Sequence, residues 1–330
     1  MSMRRSVAPK IAPPDVRQFA DDVEYYLSQS PRQLPSQYLY DDLGTALFEA
    51  ICLLPWYAIT RAELALLAAH GRTIRDRVSP VATLVELGPG NGAKLSTLLD
   101  AADLDDPDRP TVVHLVDISP SALEAAGRML MFRRGITVVR HQADYEVGLG
   151  LASSSLSRGP GRTLALFLGS NIGNFDPPGA DAFLRSIRSA LARGDALLIG
   201  ADLVKAERDL LLAYDDPLQI TAAFNRNLLV RANRELAADF DVDGFSHRAV
   251  WNAAASRIEM HLVSLRRQRV RIPASRLDIM FEEGETIWTE SSYKYRPAEI
   301  ATMLERAGFR QAGQWLDESG GFALTLVEAS

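Results

Sequence analysis

Val85-Glu86-Leu87-Gly88-Pro89-Gly90-Asn91-Gly92 places three glycines in the turn between a short apolar run and a helical stretch. Without a Cβ, such a turn bends sharply and lets its backbone approach a ligand. Taken alone, the loop also suits a dinucleotide site or a mere tight strand-to-helix connection, although its GxGxG spacing differs from the GxGxxG of dinucleotide folds. Asp117 ends a second apolar run. Strands of an open α/β sheet present their last side chains to the ligand crevice, where a carboxylate accepts both hydroxyl protons of a ribose. Capping the next helix is the other use of such an aspartate, but Ser119 and Ser121 are able caps themselves. His70, His114, His141, His247 and His261 show no HExxH spacing, and Cys52 is the only cysteine. Neither a metal site nor a disulfide is therefore expected.

The elements that must hold these groups follow from periodicity. Helical spacing of apolar residues runs over Val16–Gln29 and Thr60–Val78, with the Pro-, Gly- and aromatic-rich stretch Pro31–Pro55 between them as a loop-and-helix region able to fold over a neighbouring surface. Short strands then alternate with helices: Thr83–Leu87, Val112–Asp117, Ile136–His141, Thr163–Leu168 and Ala196–Ala201, with helices starting near Ala93, Ser119, Gly179 and Lys205. Five βα units in a row build a parallel, Rossmann-like sheet. After Asp202 the rhythm breaks. Leu203–Leu236 reads as helical, and Arg257–Leu265 and Gln268–Ile272 as strands, with Ile258, Met260 and Leu262 on one face. A helix Pro297–Ala307 and strands Gln311–Leu316 and Phe322–Val327, joined across Ser319-Gly320-Gly321, close the chain.

Composition narrows the partners. In 330 residues, 47% are hydrophobic and 24% charged, the balance of a globular protein with a full core. A formal net charge of −6 disfavours a nucleic-acid backbone as ligand, and the run Arg266, Arg267, Arg269 and Arg271 reads as a solvated face. With no long apolar stretch and a single cysteine, a cytoplasmic protein with no membrane partner, monomeric and acting on a small molecule, is expected. Residues 1–14, with three prolines, read as a loosely ordered lead-in.

With five βα units around it and Glu86 two positions before the first glycine, the loop resembles the first motif of class I S-adenosylmethionine-dependent methyltransferases. The resemblance implies an α/β fold, a Rossmann-like class I methyltransferase sheet with a second, smaller α+β substrate domain, and S-adenosyl-L-methionine as cosubstrate. Glu86, Gly88, Gly90, Gly92 and Gly169 would then surround the donor, Asp117 hold its ribose, and Asp144 accept from the adenine amine with Tyr145 beside the ring. Lys94, at the mouth of the first helix, would meet the carboxylate of the methionine part; a solvated surface lysine is its plainer reading. A terminal hairpin usual for this class would bring the tail back to the first sheet.

Six further blocks carry a closer resemblance: Leu34-Pro35 with Tyr38-Leu39-Tyr40-Asp41, Leu54-Pro55-Trp56-Tyr57 with Thr60-Arg61-Ala62-Glu63, Phe167-Leu168-Gly169-Ser170-Asn171-Ile172-Gly173-Asn174, Ala213-Tyr214-Asp215-Asp216, Thr221-Ala222-Ala223-Phe224-Asn225-Arg226-Asn227 and Thr289-Glu290-Ser291-Ser292-Tyr293-Lys294. From about Pro31 to the C-terminus the chain is similar to the histidine Nα-methyltransferases of ergothioneine biosynthesis. By that resemblance Asn174 and Tyr214 hold the backbone groups of an amino-acid substrate, Tyr40 and Tyr57 line its pocket, Glu290 and Ser292 hydrogen-bond an imidazole, and Met260 and Phe224 wall it. Such a set suits a zwitterion with an imidazole ring. Tyr40, Tyr57 and Met260 also read as packing residues, and Glu290 as a surface carboxylate. The chain departs from the common pattern at Trp56 and Ala58, where the family has glutamate and a second tyrosine, at Asn171 for a frequent threonine, and at Tyr293, where cysteine occurs.

The resemblance thus implies methylation of the α-amino group of an amino acid, histidine favoured, with three transfers giving Nα-trimethylhistidine. It divides the chain into a donor-binding domain, 61–202 with 294–330, and a substrate-binding domain, 15–60 with 203–293. Methylation of another amino acid, a non-catalytic S-adenosylmethionine-binding protein and a nicotinamide-linked oxidoreductase are the competing readings.

Overall fold

A computed structural model of the chain describes residues 16–155 and 161–330. The lead-in at 1–14, and residue 15, lie outside the described residues. The helix α1 (Val16–Leu27) buries Phe19, Val23 and Leu27 on one face, and the two-residue strand β1 (Arg32–Gln33) follows it. Asp41 then starts α2 (Asp42–Cys52): its carboxylate accepts the Gly44 N–H at 2.8 Å. Asn227 and Arg234 bind the same carboxylate at 2.7 Å each, which ties this helix down over the helical stretch after Asp202. The long helix α3 (Ala58–Val78) leads into the sheet.

Five parallel strands come next, β2 (Val81–Leu87), β3 (Thr111–Asp117), β4 (Ile136–Gln142), β5 (Arg162–Phe167) and β6 (Ala196–Asp202). The helices between them are α4 (Ala93–Ala102), α5 (Pro120–Leu130), α6 (Tyr145–Ser155) and α7 (Pro177–Ala190). Ser119, not Asp117, caps α5, its hydroxyl accepting the Ala122 N–H, so the aspartate stays available to the crevice. The sequence reading missed α6, whose two glycines and terminal serines are weak helix formers; tertiary packing of Leu149 and Ala152 under the sheet stabilises it.

Beyond β6 the helical stretch breaks at Asp215-Asp216-Pro217 into α8 (Glu207–Tyr214) and α9 (Ile220–Leu236). A second sheet follows, from β7 (Phe245–Asn252), β8 (Arg257–Ser264) and, past the hairpin β9 (Gln268–Ile272) and β10 (Leu277–Phe281), β11 (Thr286–Tyr293), in the order β1-β11-β8-β7. The arginines on and just before the β9–β10 hairpin are solvated and paired, Arg266 with Asp241, Arg267 with Glu282, Arg269 with Asp278 and Arg271 with Asp239. The helix α10 (Pro297–Arg306) and strands β12 (Phe309–Leu316) and β13 (Phe322–Ala329) close the chain. The hairpin does return to the first sheet. There β13 lies antiparallel to β6, giving the order β12-β13-β6-β5-β2-β3-β4.

Alternate residues of these strands feed two apolar layers. Leu84 packs with α3, α4 and α5, whereas Val85 and Leu87 pack with α6, α7 and α10. Chain direction across the sheet reverses at β2, between β3 and β5, which opens the ligand crevice at the strands' carboxyl ends. His114 and His141, on adjacent strands, stack with Nδ1 2.9 Å from Nε2, a pairing their sequence spacing conceals. No helix among the described residues is long and apolar enough to cross a membrane.

Candidate active site

A cleft of about 1140 Å³ opens at the carboxyl ends of β2, β3 and β5. Gly88 and Gly90, Lys94, Asp117, Asp144 with Tyr145, and Gly169 all line it. Gly90 sits at φ +54°, and a Cβ there would meet no protein atom within 4 Å, so its side-chain position is cleft volume reserved for a ligand. Asp117, whose Oδ1 accepts the Ser119 N–H at 2.9 Å, is pushed up to about 6 by burial against the pull of its backbone hydrogen bonds. A hydroxyl-rich ligand that donates to this carboxylate replaces the water it has lost. Asp144 caps α6 through the Val147 N–H at 2.8 Å, and the Tyr145 ring packs edge-on against Phe167 with its hydroxyl under Gly88.

Two residues expected at the donor lie elsewhere. Gly92 faces α5, where a Cβ would come within 2.9 Å of the Ala126 Cα; its role is helix packing. Glu86 is buried beneath the loop, with Oε2 unpartnered. Burial pushes its carboxyl up to about 8, so it is protonated near neutrality in the ligand-free protein. Lys94 reaches the cleft, where the sequence reading placed it against the donor's carboxylate, and is not a freely solvated surface lysine. Its Nζ lies 2.9 Å from Oε2 of Glu63, a carboxylate with no exposure, and the same carboxylate accepts the Gly169 N–H.

A narrower chamber of about 30 Å³ adjoins this cleft. Tyr40, Tyr57, Gly169, Asn174 and Glu290 belong to the walls of both spaces, while Tyr214, Phe224, Met260 and Ser292 line the chamber. All eight residues expected to hold an acceptor are thus brought together. Tyr57 is positioned by Arg61, which donates to the carbonyls of Leu54, Pro55 and Tyr57 and so fastens the loop before α3. Asn174 ends a short turn, Asn171–Asn174. At Gly173 a Cβ would approach the Tyr293 carbonyl to 2.7 Å, so glycine lets this turn sit against β11.

Glu290 and Ser292 reach the chamber through a bulge. Pairing between β11 and β8 shifts between Trp288, opposite His261, and Glu290, opposite Met260. The extra residue, Thr289, rephases the strand, so that Glu290 and Ser292 fall on the face that carries Met260 and Ile258. Burial pushes the Glu290 carboxyl up to about 7, with the nearby Lys294 charge opposing the rise.

Sequence reading missed the charges behind this wall. Lys294 is fully buried; its Nζ lies 2.9 Å from Asp202 Oδ2 and donates to the hydroxyls of Tyr214 at 2.8 Å and Ser292 at 2.9 Å. Buried charges leave no periodic signature. Asp202 was nevertheless within reach, since it ends β6 as Asp117 ends β3, and strand ends face the crevice.

A glycine-lined cleft with an acidic strand end, on a sheet of this order, defines a class I S-adenosylmethionine-dependent methyltransferase. Comparison with known proteins narrows the class: the model of the histidine-specific, S-adenosylmethionine-dependent methyltransferases matches residues 19–329, and the chain belongs to that family. It is 42% identical over 309 residues to the histidine N-alpha-methyltransferase of Mycobacterium tuberculosis and 40% identical over 307 residues to that of Mycolicibacterium smegmatis, covering 93% of both chains in each case. The ergothioneine biosynthesis protein 1 of Schizosaccharomyces pombe is 29% identical, over 86% of this chain and 37% of the relative.

Removal of the Asp117 carboxylate tests the donor assignment. Asp117→Ala is expected to weaken S-adenosylmethionine binding by about 1.5 kcal/mol, the loss of a hydrogen bond to a charged group. Gly90→Val should weaken it both by filling the cradle and by straining a turn held at φ +54°. Unchanged calorimetric affinity in both variants contradicts the assignment.

Proposed function

We propose that the enzyme methylates the α-amino group of histidine, in successive transfers to Nα-trimethylhistidine, as a step of ergothioneine biosynthesis. One observation carries the reading: the chamber that adjoins the donor cleft brings together a carboxylate and a hydroxyl suited to an imidazole with an amide and tyrosines suited to an amino acid's polar end. The 42% identical mycobacterial relative bears that activity in its name.

The donor supplies an electrophilic sulfonium methyl group; the acceptor's neutral amine attacks that carbon in line as the S–C bond breaks and S-adenosylhomocysteine leaves, and the methylated ammonium gives up a proton to solvent before each further transfer. The chain's own residues have little covalent chemistry to do. Asn174 and Tyr214 hold the carboxylate end, Glu290 and Ser292 hold the ring, and together they fix the amine where Gly169 joins the two spaces, so proximity and orientation supply the acceleration. Phe48, Tyr40 and Phe224, packed with ring centroids 5.6–6.0 Å apart, exclude water, and aromatic faces favour a nitrogen that gains positive character with each methyl. The same reading assigns 61–202 and 294–330 to donor binding and 15–60 and 203–293 to the acceptor, in a cytoplasmic monomer.

Incubation of the protein with S-adenosylmethionine and a panel of amino acids, read by mass, tests the proposal. Histidine should gain one to three methyl groups and the others far less; turnover of a different amino acid in preference to histidine refutes it. Asn174→Ala is expected to lower histidine turnover on the order of tenfold, with donor affinity unchanged by calorimetry. Parental turnover in that variant removes Asn174 from the site.

A further inference from the structure

We infer that Glu63, fully buried on α3, is a positioning residue that joins the two substrate sites: it holds the Gly169 turn that walls the acceptor chamber and shares the Lys94 ammonium with the donor's carboxylate, so that donor and histidine bind cooperatively. This rests on the donor's carboxylate meeting Lys94 and on histidine being the acceptor, and adds how occupancy of one site is felt at the other.

Glu63 lines neither space, yet it touches a residue of each. Its Oε2 lies 2.9 Å from Nζ of Lys94, which lines the donor cleft. Its two oxygens also accept the N–H of Gly169, at 2.9 and 2.8 Å, and Gly169 lines both spaces. Burial works to lower the Lys94 ammonium, but the Glu63 carboxylate outweighs it and holds the lysine above its ordinary value, so the charge is kept. Strand β6 closes over the pair, since a Cβ at Gly200 would collide with Glu63 Oε1. With no exposure to solvent, the carboxylate meets any change at one partner by leaning on the other.

The turn is built to feel that change. Gly169 at φ +80° and Ser170 at φ +59° are both left-handed, an unfavourable conformation for serine, and such a backbone persists only where its surroundings hold it. Glu63 holds the first of the two, and the Asp202 N–H, donating to Ser170 Oγ at 2.9 Å, holds the second. Gly169, Ser170, Asn171 and Asn174 then line the chamber. A Cβ at Gly169 would lie 2.7 Å from Lys94 Nζ, so the ammonium rests against the turn as well. An ammonium has three N–H donors. When the donor's carboxylate engages Lys94, less of the positive charge is left for Glu63, whose carboxylate then draws the Gly169 N–H more strongly and firms the turn that presents Asn174 to the acceptor.

The test is calorimetry of histidine binding to the unaltered protein alone, with S-adenosylhomocysteine, and with 5′-methylthioadenosine, which lacks the amino-acid end of the donor. S-adenosylhomocysteine should tighten histidine binding on the order of tenfold and 5′-methylthioadenosine should not; by linkage, histidine should tighten S-adenosylhomocysteine binding by the same factor. Glu63→Gln keeps the shape and an acceptor for Gly169 without the charge, and should still bind S-adenosylhomocysteine but lose that factor. A general packing defect would instead weaken both ligands and leave the factor as it was. Equal tightening by the two nucleosides, or none by either, overturns the inference without any variant, as does an unchanged factor in a folded Glu63→Gln protein. Two further outcomes refute the readings beneath it, and the inference falls with them: S-adenosylhomocysteine binding no tighter than 5′-methylthioadenosine takes the donor's carboxylate off Lys94, and failure of histidine to bind while S-adenosylhomocysteine binds removes histidine as the acceptor.

Discussion

Lys94→Met is expected to destabilise the ligand-free protein by about 3 kcal/mol, because it strands a buried carboxylate. Glu63 has no exposed side-chain surface, and its countercharge is the Lys94 ammonium at 2.9 Å. The Gly169 N–H remains after the substitution, but a single dipole does not replace a full charge in a low-dielectric setting. Glu86, a second buried carboxyl in the same field, adds to the loss only at a pH where it ionises, since the Lys94 charge counters part of its burial while the Glu63 carboxylate opposes its ionisation. The pH dependence of the parent follows from Glu86. Its carboxyl is raised to about 8 in the folded protein and is near 4.5 when unfolded, so the folded state takes up a proton. That contribution to stability is fully present below about pH 4.5 and is lost as pH rises through about 8. Glu86→Gln should flatten the fall in stability between pH 6 and pH 9 in urea denaturation, and Lys94→Met should steepen it. Equal midpoints for Lys94→Met and the parent across that range contradict the assignment of Lys94 as the countercharge of Glu63.

What the sequence discloses is set by how local its signals are. The parallel strands and the glycine loop are legible because period, turn chemistry and strand ends are properties of a few consecutive residues. Asp117 was legible for the same reason, and Ser119 supplied the cap that left it available. The two faces of β11 were not. Strict alternation puts Thr289 and Ser291 on the side where Glu290 and Ser292 are found, and only the partner strand reveals the extra residue that reverses the phase. Resemblance to a family supplied those two residues where periodicity misplaces them. Buried charge was the least legible feature, since Glu63, Lys94, Asp202 and Lys294 are ordinary polar letters in the sequence. Lys94 lines the cleft, but nothing local shows that Glu63, thirty-one positions earlier, also takes part of its ammonium. Of the departures, Trp56 and Ala58 lie outside the walls of both spaces, Asn171 lines both, and Tyr293 lines the cleft, where its hydroxyl accepts from Arg257 at 2.6 Å.

Glu290→Ala is expected to lower kcat/KM for histidine by about 1.5–3 kcal/mol in transition-state terms, roughly 10- to 200-fold, while donor affinity survives. The carboxylate is the chamber's acceptor for the ring N–H, and a site built on polar pairing rejects a substrate that leaves a partner unpaired. Its removal also empties volume beside Met260 and Phe224, so tryptophan, phenylalanine and leucine should be relatively better accepted than by the parent. Stability is expected to move the other way. The Glu290 carboxyl is raised to about 7 against an unfolded value near 4.5, so what it contributes to stability is present below pH 4.5 and lost as pH rises through about 7. At pH 8 the folded protein holds a half-buried, poorly solvated carboxylate that the alanine variant lacks, and the variant should unfold at higher urea than the parent. Loss of turnover with a gain in stability is a combination that misfolding cannot produce. Glu290→Gln keeps a carbonyl acceptor in place without the charge and should fall between the two in histidine turnover. The measurements are kcat/KM for histidine, tryptophan, phenylalanine and leucine in the three proteins, with urea midpoints at pH 6 and pH 8. An unchanged substrate ranking in Glu290→Ala removes Glu290 as the determinant of histidine selection, whatever the midpoints show.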